Sequence, residues 1–90
     1  MRRSKIEIFV DILNVMVLRD SLKLTHIMQK ANINHCVLQE SLGFLIKQEM
    51  IEKRTVEKQH VAYAITQRGI MVIKYFKKLE RQPRPRIFSN

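Results

Sequence analysis

The sequence predicts a small, mainly helical α+β domain. Three apolar-periodic segments, at about residues 4–19, 25–31 and 35–49, follow the three- and four-residue spacing of buried helix faces. The period changes to two over residues 51–66, as in a β-hairpin, and helical spacing returns from Gln67. The chain has 90 residues, with 46% hydrophobic and 28% charged side chains, which fits one globular domain.

The first helix is predicted to be apolar on two sides. Ser4 is a suitable N-cap. One buried stripe consists of Ile6, Phe9, Val10, Leu13, Met16 and Val17, and a second strip of Ile8, Ile12 and Val15. One layer of core does not easily cover both strips, so Ile8 and Ile12 are expected at or near a two-fold interface.

A short break divides the stretch THIMQKANIN, residues 25–34. Thr25 is predicted to cap a short second helix, and Asn32 to end it, because asparagine tolerates the left-handed conformation of helix C-termini. Asn34 is predicted to cap the third helix, with Ile33 pointing into the core between them. Two helices joined by so short a turn are typical of a helix-turn-helix.

The remaining elements are a hairpin and a closing helix. The third helix runs from about residue 35 to 49, with a buried stripe of Leu38, Leu42, Leu45 and Ile46. In the hairpin, Ile51, Val61, Tyr63 and Ile65 alternate with polar or small residues. Thr66 is predicted to cap the last helix, which ends before Pro83. Residues 1–81 therefore predict a winged helix-turn-helix domain, and residues 82–90 a basic, flexible tail.

The net charge of +9 is unevenly distributed. Residues 1–5 carry +3, residues 6–50 carry −1, and residues 51–90 carry +7. A basic excess at both ends of a nearly neutral middle favours a polyanionic partner, with a solvated surface as the alternative.

Three stretches resemble a known group of proteins. THIMQKANIN, LGFLIKQEMI and YAITQRGIMVI are similar to segments of small archaeal winged-helix DNA-binding proteins, which include chromatin-associated proteins and transcriptional regulators. The resemblance covers about residues 4–81. It implies double-stranded DNA binding with the third helix in the major groove, and a homodimer built with the last helix.

This sequence departs from that group at two places. The last helix meets prolines within about four turns, too short for the long coiled coil of the chromatin members, so the dimer shape stays open. Met71, Tyr75 and Leu79 lie beside its core stripe and are expected at the interface with Ile8 and Ile12. Gln39 and Glu40 stand where relatives often carry basic or small groups, which leaves the target open.

Candidate DNA contacts lie in three places. His35 and Gln39, one turn apart, suit bases or phosphate, and Glu40 can accept from a cytosine amino group. Cations on a wing suit the backbone or minor groove. The full set is Lys30, Asn34, His35, Gln39, Glu40 and Lys47 around the third helix, Lys53, Arg54, Lys58, Gln59 and His60 on the wing, and Arg2 and Arg3 in an N-terminal arm.

Other classes of function find little support in the sequence. No metal-ligand spacing, phosphate loop or nucleophile motif is evident, so neither a cofactor, an enzyme nor a small-molecule substrate is expected. No apolar run approaches a membrane span, no secretory signal is evident, and the single cysteine, Cys36, fits a reducing cytoplasm. RNA binding lacks paired aromatics for base stacking.

The sequence thus predicts a homodimeric DNA-binding protein of the cytoplasm or nucleoid, either a transcriptional regulator or a nucleoid-associated protein. The alternative is a winged-helix scaffold for protein–protein interaction without DNA, which the near-neutral third helix and Glu40 favour.

Overall fold

The computed structural model describes residues 4–19, 21–57 and 60–81, so the predicted N-terminal arm and C-terminal tail lie outside the described residues. Its elements are α1 (Lys5–Val17), α2 (Leu24–Ala31), α3 (His35–Lys47), β1 (Ile51–Val56), β2 (His60–Ile65) and α4 (Gln67–Arg81). The mainly helical α+β class is confirmed, with three helices, a two-stranded antiparallel sheet and a closing helix in the predicted order.

Helix α1 is the centre of the domain. It begins with the predicted cap, in which the Glu7 amide donates to Ser4 Oγ at 3.1 Å and the Ser4 amide donates to Glu7 Oε1 at 2.8 Å. It packs against α2, α3, α4 and β2. Ile12, which was expected at or near a two-fold interface, is completely buried by these neighbours within the protomer.

Helix α2 begins earlier than predicted. Its N-cap is Lys23, not Thr25, and no side chain caps it. The residue before it, Leu22, pairs with Tyr63 of β2 through two backbone hydrogen bonds of 2.9 and 2.8 Å. Leu22 thus lies alongside the two-stranded sheet in an extended conformation, and α2 begins directly after its N-cap, Lys23.

The turn between α2 and α3 has the predicted construction. Asn32 is in the left-handed conformation (φ 56°, ψ 54°), and the Ile33 amide donates to the Met28 carbonyl oxygen at 3.1 Å. Asn34 Oδ1 accepts the Val37 amide at 2.8 Å, which caps α3. Ile33 is half-buried against the core. The two asparagines therefore serve the facing ends of two helices.

The hairpin pairs Ile51 with Ile65 and Val56 with His60. The most buried residues of β2 are Ala62 and Ala64, whereas Val61, Tyr63 and Ile65 are half-buried. The alternation of large apolar residues therefore predicts the strand correctly, but these residues are not on its most buried face. Small alanines are buried there because helices pack close to β2.

Two tight junctions hold the hairpin between α3 and α4. Helix α3 ends at Lys47, two residues before the predicted end, and Glu49 then adopts a left-handed backbone (φ 61°). Thr66 caps α4 as predicted, since its hydroxyl accepts the Gly69 amide at 3.1 Å and donates to the Glu49 carbonyl oxygen at 2.6 Å. The start of α4 is thereby tied to the end of α3, which fixes the wing between them.

Candidate nucleic-acid interface

The exposed face of α3 is the principal candidate surface. Leu38, Leu42 and Leu45 bury one side of this helix. The opposite side carries one exposed row at the i, i+4, i+7 and i+11 spacing, formed by Cys36, Glu40, Gly43 and Lys47. This surface is continuous and mostly polar, so a helix-sized groove can receive it without exposing the core.

His35 and Gln39 are brought together beside that row. Gln39 Nε2 lies 3.2 Å from His35 Nε2, and both side chains are exposed. The pair lies in the first turns of α3. It presents an amide and an imidazole on the same edge of the helix. Either group can give up the hydrogen bond between them and form one with a ligand instead.

Asn34 and Lys30 flank the start of α3 in different roles. The Asn34 side-chain oxygen is engaged as the helix cap, so a direct ligand contact would have to use its amide nitrogen. Lys30 is exposed in the last turn of α2.

Glu40, a member of the exposed row, also lies at the rim of an open groove between α3 and α1. The groove has a volume of about 410 Å³. It is lined by Lys5, Ile8, Phe9, Val37, Glu40, Ser41 and Phe44. The Phe9 and Phe44 rings are stacked, with centroids 4.8 Å apart and planes 10° from parallel. Ile8 is half-buried here, so it is turned toward α3 as well as toward solvent.

The wing carries exposed cations on β1. Lys53 and Arg54 are both exposed, and His60 begins β2 as an exposed residue. Arg54 Nε lies 3.5 Å from Glu52 Oε2, a solvent-exposed ion pair that contributes little stability and can be exchanged for a phosphate. Lys58 and Gln59 of the wing tip, and Arg2 and Arg3 of the arm, lie outside the described residues.

A second groove joins the wing to the start of α2. Ser21, Lys23 and His26 line one side of this groove, and Glu57 and His60 line the other, around about 380 Å³. Sequence reasoning did not place Lys23 and His26 at the site. The Leu22–Tyr63 pairing brings them there, and no local pattern signals that long-range contact.

Helix α4 carries an exposed apolar stripe. The side chains of Met71, Tyr75 and Leu79 are 63%, 62% and 48% exposed, at the i, i+4 and i+8 spacing of one helix face. They are among the largest exposed apolar groups of the described residues. Ile8 on α1, by contrast, is half-buried, and Ile12 is inside the core.

Two further properties concern the described residues only. No group of three or more His, Cys, Asp or Glu side chains among them is arranged to hold a metal ion. None of the described helices has the length and apolar character needed to cross a membrane.

Comparison with known proteins gives the fold a family. A family model described as winged helix-turn-helix matches residues 2–83. No curated protein sequence matches the chain. Among solved structures, Sso10a-2, a DNA-binding protein from Sulfolobus solfataricus, is 25% identical with a TM-score of 0.76, over 88% of this chain and 80% of that chain. The resemblance to small archaeal winged-helix proteins is therefore confirmed.

Two bacterial proteins share the fold at lower identity. ZitR of Lactococcus lactis, in its structure in complex with DNA, is 20% identical with a TM-score of 0.67, over 82% of this chain and 50% of that chain. The PcaV transcriptional regulator of Streptomyces coelicolor is 15% identical with a TM-score of 0.69, over 73% of this chain and 48% of that chain. This chain thus spans about half the length of each of these two proteins.

Proposed function

The chain belongs to the winged helix-turn-helix family, and on that premise we propose that it binds double-stranded DNA as a homodimeric transcriptional regulator or nucleoid-associated protein. Helix α3 enters the major groove, and the wing lies on the backbone or in the minor groove. The observation that carries this proposal is the exposed polar face of α3 beside a cationic wing. The likeness to Sso10a-2, itself a DNA-binding protein, supports it.

Specific reading is assigned to the first turns of α3. Gln39 donates and accepts through one amide, which suits the N6 and N7 positions of adenine, and His35 beside it suits guanine or phosphate. Glu40 accepts from a cytosine amino group but repels phosphate. An acid retained on this face therefore favours selective over purely general binding.

General affinity is assigned to the cations around α3. Lys53, Arg54 and Lys58 of the wing neutralise phosphates, and Lys30 and Lys47 extend this contact at either side. Lys23 adds a further cation where α2 meets the wing, partly offset by Glu57, and His26 and His60 beside it offer hydrogen bonds to phosphate. Asn34, Gln59, Arg2 and Arg3 complete the proposed set.

We assign the homodimer contact to α4. Met71, Tyr75 and Leu79 form an apolar stripe that the described part of the protomer leaves open. Ile8 remains part of the proposed contact as a half-buried residue of α1, in the groove that faces α3. Burial of such a stripe against a second copy removes apolar surface from water, which favours association. The two α3 helices of such a dimer could then contact the same duplex or two separate duplexes.

A second candidate function is a protein-interaction scaffold without DNA. The groove with the stacked Phe9 and Phe44 rings, with Glu40 at its rim, favours this alternative, because an apolar surface beside an acid does not suit DNA. Duplex binding that depends on α3 and the wing separates the two candidates.

Replacement of Gln39 by alanine tests specific reading. On a preferred site the substitution should weaken binding by about 1–3 kcal/mol, because the adenine edge loses both hydrogen bonds. On random duplex the loss should be much smaller. Fluorescence anisotropy with both duplexes measures the difference. A chromatin protein without specific reading would show equal, small losses on both, and His35→Ala serves as the companion variant.

Replacement of Lys53 and Arg54 by alanine tests the wing. The slope of log affinity against log salt concentration should decrease by about 1 for each lost phosphate contact, with similar weakening on every sequence. Titrations at several salt concentrations measure it. The double variant Lys74→Ala/Lys77→Ala, which removes two exposed cations from α4, is the charge-matched control. An unchanged slope in the wing variant would remove the wing from the interface.

A further inference from the structure

The chain contains two glycines, and both lie in helices. Gly69 in the first turn of α4 is explained by the fold. A Cβ atom there would lie 2.6 Å from Cγ1 of Ile65 and would also overlap the Met50 carbonyl oxygen. Without a side chain, α4 can approach the end of α3 closely, and the Thr66 hydrogen bonds can form.

Gly43 in the middle of α3 has no such explanation. A Cβ atom there would meet no atom within 4 Å, and the backbone does not have a positive φ. The residue is exposed, and glycine is the poorest helix former after proline. Alanine at this position would therefore make the described fold more stable than glycine does.

Gly43 lies in the exposed row of α3, about two turns after Cys36 and one turn before Lys47. Gln39 stands one turn before it, on the same exposed surface. Gly43, which has no side chain, therefore leaves a gap in this surface beside Gln39, the residue proposed to contact bases.

We propose that Gly43 is the point of closest approach between α3 and the duplex, and that its missing side chain sets the depth at which the helix sits in the major groove. A shallow position would hold the amide of Gln39 away from the base edges, whereas the gap at Gly43 admits a nucleotide backbone or base edge against the helix. Glycine commonly marks a close approach of backbone to a ligand. This inference rests on the proposed DNA-binding function.

The test uses Gly43→Ala and Gly43→Leu in the full chain. Gly43→Ala should raise the midpoint of urea unfolding and yet weaken duplex binding about tenfold, because the added group forces the helix outward. Gly43→Leu should weaken it further. Lys77→Leu is the control, since it puts the same side chain on an exposed position in the second half of α4, a helix that packs mainly on α1 and β2. The control should leave duplex affinity unchanged.

Each result has a definite meaning. Raised stability with unchanged affinity in both variants overturns the role of Gly43 and leaves the proposed function intact. Lowered stability in Gly43→Ala also overturns it, because the glycine would then serve the fold. Failure of the unsubstituted protein to bind duplex contradicts the proposed function itself, separately from Gly43.

Discussion

Gly69→Ala should lower the free energy of unfolding by about 1–3 kcal/mol, because an added methyl group overfills a closely packed junction. The group would overlap the Met50 carbonyl oxygen and Ile65. The Met50 oxygen also accepts the Thr66 amide at 2.9 Å, so it cannot move without loss of that bond. Urea unfolding followed by circular dichroism measures the change.

Gly43→Ala is the matched control for this prediction, with the opposite sign. The same substitution on the open face of α3 should raise the free energy of unfolding by up to about 1 kcal/mol, because alanine is the better helix former. Unchanged stability in Gly69→Ala would contradict the close contact between the start of α4 and the end of α3.

Tyr75→Asp combined with Leu79→Asp should convert a dimer into a monomer. Both side chains are largely exposed on α4, and a carboxylate in an apolar interface cannot be buried without a partner. Loss of the second copy removes simultaneous contact with two half-sites, so duplex affinity should fall by about 100-fold or more. Sedimentation at micromolar concentration and anisotropy with duplex measure the two effects.

Lys77→Ala is the control for the dimer, because Lys77 is exposed on the same helix but lies on the side away from the apolar stripe. It should remain a dimer. A monomeric unsubstituted protein at micromolar concentration would contradict the assigned contact.

Local signals in the sequence predicted the helix ends well. Ser4, Asn34 and Thr66 each accept the backbone amide expected of a cap, and Asn32 takes the left-handed conformation. Capping depends on atoms within three or four residues of one another, so a short stretch of sequence contains the necessary information.

Long-range packing explains what was wrong. Thr25 is a chemically suitable cap, but the pairing of Leu22 with Tyr63 starts α2 earlier. Ile12 forms part of an apolar strip that suggested an interface, yet α1 has neighbours on several sides, and Ile12 is buried among them. Neither contact is visible in a local pattern, because the partners lie far apart in the chain.

The candidate site was only partly predictable for the same reason. The exposed pair His35 and Gln39 follows from helical spacing alone, and the structure shows it in hydrogen-bond contact. The cluster of Lys23 and His26 beside His60 needs the tertiary fold. Gly43 could be read from the sequence as a helix glycine, but only the open space around it distinguishes it from Gly69.

Direct titration of the unsubstituted protein with double-stranded DNA over a salt series tests the central claim most directly. Counterion release predicts a linear fall of log affinity with log salt concentration, to which each neutralised phosphate contributes about −0.9 for duplex. A single-stranded oligonucleotide of the same length is the control and should bind more weakly. Absence of duplex binding even at low salt would contradict the DNA-binding account and favour the protein-interaction scaffold.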